Sequence, residues 1–202
     1  PHYLTGISLH SVDPPEGPMR RAVAPDGHRL AQAEVPAPEG ANGIPGVIVP
    51  RKTVSEIQRL IEDADETVKI ELSDAKIRFT FATVVLTSKL IDGTFPDYVR
   101  VIPQNNDKSL HVDRQEFANA VDRVSTVSSE RGRAVKLSLQ PGKLVLSVNN
   151  PDSGSATEEL VVEYDAEPLD IGFNSRYLLD IAGQLETETA EFKLADPVSP
   201  TL

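Results

Sequence analysis

Apolar residues recur at every second position through VKIELSDAKIRFTF (Val68 to Phe81) and again through VKLSLQPGKLVLSV (Val135 to Val148). The two stretches overlay without a gap. Val68 falls on Val135, Ile70 on Leu137, Leu72 on Leu139, Ile77 on Leu144, Phe79 on Leu146 and Phe81 on Val148. Each alternates around a short turn, SDA in one and QPG in the other, the pattern of an antiparallel hairpin. A weaker third copy, AEFKLADPVSPTL, closes the sequence.

A helical period precedes each copy. The first predicted helix runs from about Arg51 to Asp63, with Val54, Ile57, Leu60 and Ile61 on one face. The second runs from about Arg114 to Val127, with Phe117, Val121 and Val124 aligned. The third starts near Ser175 and aligns Tyr177, Leu178, Ile181 and Leu185. Pro50, Asp113 and Asn174 stand just before these helices as start signals. A helix followed by antiparallel strands, and then repeated, predicts an α+β fold made of internal repeats. The stretch GTFPDYVRVIPQNNDKS (Gly93 to Ser109) is too polar for an interior strand, and the expected division is 1–99 and 100–202.

Composition narrows the function classes. An apolar fraction of 39% in 202 residues supplies a core, so disorder is not the default. The absence of cysteine removes disulfides, thiol catalysis and cysteine metal sites, and it fits a cytoplasmic setting. No run approaches the roughly 18 apolar residues of a membrane span. PHYLTGISLHSVD lacks the basic-then-apolar order of a signal peptide and begins in a strand-like pattern, so the expectation is a piece of a larger protein.

The net charge of −11 opposes the usual basic footprint of a nucleic-acid binder. Its distribution changes that picture. Arg51, Lys52, Arg59, Arg114, Arg123 and Arg176 sit on the predicted helices, whereas acids gather in connections such as Glu62-Asp63-Ala64-Asp65-Glu66 and Glu158-Glu159. A mildly basic helical face suits sequence-independent phosphate contact. Short exposed helices also carry mixed charge for solubility, so charge alone leaves both readings open.

APDGHRLA (Ala24 to Ala31) concentrates polar chemistry between two apolar runs. An enzyme would use Asp26 and His28 as an acid–base pair or as half of a metal site. No nucleophile with a base and an orienting third group is indicated by spacing. His2, His10, His28 and His111 form no metal-ligand motif. Neither catalytic residues nor a metal or cofactor are expected.

YLTGISLH, APDGHRLA, VPRKTVSEI, LTSKLIDGTFPDYVRVIP and IGFNSRYLLDI, in this order, resemble the bacterial sliding clamp, the beta subunit of DNA polymerase III holoenzyme. The resemblance implies the DNA-clamp fold, with helices on the inner face of a ring and sheets on the outer. It also implies a head-to-tail homodimer of three-domain protomers, of which this sequence would hold most of the middle and C-terminal domains. A peptide-binding groove for the polymerase III alpha subunit, the clamp loader and other polymerases or repair proteins would involve Leu4, Pro25, Gly27, His28, Arg29 and Leu30. Pro96, Arg100, Val101, Val198 and Pro200 would join them. Many relatives have Thr at the Pro25 position and Ser at the Pro200 position, so both are departures. Duplex DNA would meet His2, Tyr3, Arg51, Lys52 and Arg123, and the dimer interface would include Thr126, Val127 and Glu158. The competing expectation is a peptide-binding scaffold of repeats with no DNA role, which has no need to collect cations on one helical face.

Overall fold

A computed structural model describes residues 5–62 and 67–202. His2, Tyr3 and Leu4, and the acidic run from Asp63 to Glu66, lie outside the described residues. The chain divides into two units, Pro1–Asp97 and Tyr98–Leu202.

In the first unit, β1 (Gly6–Val12), β2 (Met19–Pro25), β3 (Leu30–Pro36) and β4 (Val47–Pro50) form an antiparallel sheet in the order β3-β2-β1-β4. Helix α1 (Arg51–Ile61) follows β4 directly. A meander of β5 (Lys69–Leu72), β6 (Lys76–Phe81) and β7 (Val84–Lys89) completes the unit.

The second unit opens with a 3-10 turn, Tyr98–Val101, then β8 (Lys108–Asp113) and α2 (Arg114–Val124). After a second 3-10 turn, Ser125–Val127, come β9 (Ala134–Gln140), β10 (Lys143–Asn150), β11 (Gly154–Val161) and β12 (Leu169–Asn174). Helix α3 (Ser175–Gln184) and β13 (Thr189–Leu194) end it. Its large sheet has the order β11-β10-β9-β12, and β13 pairs with β8. Three strands in sequence order, closed on the first by a fourth that leads into a helix, therefore occur in both units.

The overlaid segments fold as equivalent hairpins. Leu72 pairs with Ile77 and Ile70 with Phe79, while Leu139 pairs with Leu144 and Leu137 with Leu146. One alignment thus carries both composition and register, because a period-2 pattern fixes which face each residue takes.

The cores differ in extent. In the second unit, Phe117, Ala120, Val121 and Val124 of α2 are buried with Leu110, Leu137, Leu139, Leu144, Leu146 and Leu194. The Phe117 and Phe192 rings meet edge-on, with centroids 5.2 Å apart. The first unit buries Val49, Ile77 and Phe79 in one cluster, backed by Leu9, Val54, Ile57 and Leu86.

Several expectations change. The second helix stops at Val124 rather than continuing as α-helix to Val127. There the Thr126 hydroxyl donates to the Arg123 carbonyl and the Ser128 hydroxyl to the Ser125 carbonyl, so side chains compete for the backbone groups of the last turn. On α3 the buried positions are Ser175, Leu178 and Ala182, while Ile181 and Leu185 are exposed. The small Ala182 takes the packed face and displaces the larger residues from it. Leu60 of α1 is also exposed. The third copy makes a strand, β13, that pairs with β8, and the chain then returns so that Lys193 and Leu202 exchange backbone hydrogen bonds of 2.7 and 3.0 Å.

Candidate partner and DNA sites

In the first unit APDGHRLA is the β2–β3 hairpin. Pro25 pairs with Leu30, and residues 26–29 make the turn. Asp26 Oδ1 accepts the N–H groups of His28 and Arg29, both at 2.9 Å, and Oδ2 accepts Arg29 Nε at 3.0 Å. The Asp26 N–H donates to the Arg29 carbonyl at 3.1 Å. Gly27 has φ +91°, a left-handed conformation that a Cβ would strain. Burial pushes the Asp26 pKa up, but the two N–H donors and the Arg29 guanidinium outweigh it and hold the carboxyl below its ordinary value. Asp26 is therefore an anionic turn-former, the reverse of a poised general acid. This hairpin carries Pro25, Gly27, His28, Arg29 and Leu30 together, with Pro25 and Leu30 half-buried. Pro96, in the same unit, is exposed.

In the second unit Arg100 and Val101 lie on the opening 3-10 turn, and Val101 is 65% exposed. Val198 and Pro200 share the loop after β13. Asp196 accepts the N–H of Val198 at 2.9 Å and that of Ser199 at 2.7 Å, and also the Ser199 hydroxyl at 2.6 Å. The Ser199 hydroxyl, followed by the two N–H groups, holds the Asp196 carboxyl below its ordinary pKa. Asn106 donates to the carbonyls of Lys193 and Pro200, tying the loop to the strand it leaves. Val198 is carried 92% exposed on this braced loop. The bracing was missed from sequence; the Asp-x-x-Ser spacing of Asp196 and Ser199 is the signal that would have found it.

The six helix cations fall into two groups. Arg59 pairs with Glu56 of its own helix, and Arg114 donates to the Thr187 and Ala182 carbonyls at the end of α3. Arg123 meets Glu158 of β11 through three hydrogen bonds of 2.6 to 3.0 Å. That hydrogen bonding lowers the Glu158 pKa and raises that of Arg123. A candidate DNA contact and a candidate interface residue are thus one ion pair, beside Thr126 and Val127 on the neighbouring turn. Arg51, Lys52 and Arg176 make no ion pair among the described residues. Arg51 and Lys52 occupy the first turn of α1, which holds no acid and no side-chain cap. Cations there oppose the helix dipole by about 0.3–1 kcal/mol. A charge pattern chosen for helix stability would place acids at that end.

Among the described residues no group of three or more His, Asp or Glu could hold a metal ion. No helix among them is long and apolar enough to cross a membrane.

Two α+β units, each built on a three-strand run closed by a fourth that enters a helix, define the domain class of DNA clamps. Sequence models of two domain families match, the DNA polymerase III beta subunit central domain over residues 1–97 and its C-terminal domain over residues 99–202. The chain belongs to the DNA polymerase III beta subunit family. It is 57% identical over 201 residues to the beta sliding clamp of Caulobacter vibrioides, covering 100% of this chain and 54% of that protein. The beta sliding clamp of Pseudomonas aeruginosa is 42% identical with the same coverage. Among solved structures, the Caulobacter crescentus beta sliding clamp superposes with a TM-score of 0.95 at 57% identity, over 100% of this chain and 54% of that one. A Bartonella birtlesii clamp bound to griselimycin gives 0.93 at 58% identity, over 99% and 54%. The chain spans about half the length of the curated relatives it matches.

Proposed function

We propose that this chain supplies the central and C-terminal domains of a non-catalytic, cytoplasmic, ring-shaped clamp that encircles duplex DNA and tethers polymerases to it. The observation that carries this reading is the end-to-end match of both units to clamp structures at 57% identity. Arg51, Lys52 and Arg176 are the phosphate contacts. Their ammonium and guanidinium groups are not already neutralised, and phosphate contact needs charge but no base readout. Arg123 acts through Glu158 beside Thr126 and Val127, at a subunit interface. The β2–β3 hairpin with Pro96 in the first unit, and Arg100, Val101, Val198 and Pro200 in the second, are each surfaces for short peptide motifs of the polymerase alpha subunit and clamp loader. On them, apolar side chains grip and Arg and His side chains orient.

The reading is tested with a clamp of the relatives' full length that carries this segment. Loaded on a closed circle it remains bound, and it leaves when the circle is cut. Equal retention on circular and linear DNA refutes encirclement. In the same protein, Leu30→Ser with Val101→Ser abolishes binding of a polymerase-derived peptide while the far-UV spectrum stays unchanged. Undiminished affinity removes these residues from the peptide-binding surfaces.

A further inference from the structure

The connection between β3 and β4 carries a chemical feature that the clamp reading does not use. Ala41, Asn42, Gly43 and Ile44 form a turn closed only by a long hydrogen bond, 3.5 Å from the Ile44 N–H to the Ala41 carbonyl. Ala41 is 5% exposed and anchors the turn, while Asn42 and Gly43 are both exposed. Gly43 has φ +75°, and a Cβ built on it would find no heavy atom within 4 Å. Among the described residues the Asn42 carboxamide makes no hydrogen bond. An exposed asparagine amide therefore lies next to a backbone nitrogen with no side chain beside it.

We propose that Asn42 is a site of spontaneous deamidation. The Gly43 backbone nitrogen, losing its proton to solvent base, attacks Asn42 Cγ. The new C–N bond closes a five-membered imide, and the Cγ–Nδ2 bond breaks as ammonia leaves with a proton. Water then opens the imide at either carbonyl, giving aspartate or isoaspartate. No oxidant or cofactor enters, and the product carries one more negative charge on a chain of net charge −11. The isoaspartate product also lengthens the backbone of the β3–β4 connection by one methylene.

Asn42 is the one asparagine of the sequence followed by glycine, and three other asparagines and the Asp26-Gly27 step show what shields an amide or an acid from this chemistry. Asn106 donates to two carbonyls, Asn150 donates to the Val127 carbonyl and accepts from Asp152, and Asn174 caps α3. Asn106 and Asn174 must break native hydrogen bonds before they can react, and Asn150 precedes Pro151, whose ring nitrogen has no proton to lose and cannot close the imide. Asp26-Gly27 offers the same dipeptide geometry with an acid. Its carboxylate is fixed by three hydrogen bonds and held ionised, and an ionised carboxylate has no good leaving group.

The test is incubation of the folded chain at mildly alkaline pH and physiological temperature, followed by peptide mapping and isoaspartate detection. The amide-to-acid mass gain appears first and most abundantly in the peptide containing Asn42, as an isomeric pair, with a one-charge acidic shift of the intact protein. Asn42→Gln loses that product, and its unchanged far-UV spectrum verifies the fold. Denaturation raises conversion at Asn106 and Asn174 many-fold while changing that at Asn42 little. An intact Asn42 in the folded chain that converts only after denaturation overturns the proposal, as does earlier conversion at another asparagine.

Discussion

The two units share a strand order but not a cover. In the second, β9 is paired on both sides, by β10 and β12, and α2 seals its apolar face. In the first, β1 holds the same place between β2 and β4, whereas β5, which carries the matching apolar sequence, pairs with β6 alone among the described residues. Ile70 is consequently 46% exposed, while Leu137, its equivalent in sequence and register, is fully buried. Pattern decides which face a side chain takes. The neighbouring element decides how much water it loses, and burial of a large aliphatic side chain is worth about 1.5–3 kcal/mol.

The largest test of this contrast substitutes the equivalent pair. Leu137→Ala is expected to destabilise the second unit by about 2–5 kcal/mol, through lost transfer energy and a cavity. Ile70→Ala is expected to cost the first unit less than about 1 kcal/mol. Urea unfolding followed by amide exchange in each unit measures both, and equal costs would mean that Ile70 is covered in solution.

Helix starts give a smaller contrast. Asp113 accepts the Glu116 N–H at 2.8 Å and caps α2, whereas Pro50 precedes α1 without a side-chain cap bond. Asp113→Ala should therefore cost about 1 kcal/mol, and Pro50→Ala less than about 0.5 kcal/mol. Thermal unfolding of the two variants orders them.

The smallest effect concerns the β2–β3 turn against the mainly buried second unit. The Asp26 pKa is lower folded than unfolded, so its stabilisation is complete above the unfolded carboxyl's titration range. It is lost as pH falls through the folded value. Asp26→Asn is expected to remove about 1 kcal/mol or less near neutral pH and to flatten the acid-side loss of hairpin protection. A variant with the same acid dependence as the parent would assign that loss to other carboxylates.

The hairpins were legible because period-2 alternation specifies pairing and face together, and the helix starts because their signals are local. The α2 stop was not legible: it depends on Thr126 and Ser128 hydroxyls turning back onto carbonyls. The packed face of α3 was hidden for another reason, since Ala182 is too small to dominate a hydrophobic pattern yet fits the contact. Equivalence of the β1–β4 and β9–β12 sheets was also invisible, because it resides in strand order and not in matched residues. At the candidate sites, the Asp-Gly step of APDGHRLA is a local turn signal. The pairing of Arg123 with Glu158 joins residues on separate elements, and no local spacing encodes it.

The loop held by Asp196 has a consequence for whatever covers Val198. Flexible segments lose freedom when they are captured, and that loss subtracts from affinity. Here the Asp196 carboxylate has already fixed the backbone of Val198 and Ser199, and Asn106 has fixed its far end. A ligand meeting the Val198 methyls gains their contact from a preset surface and spends little on ordering it.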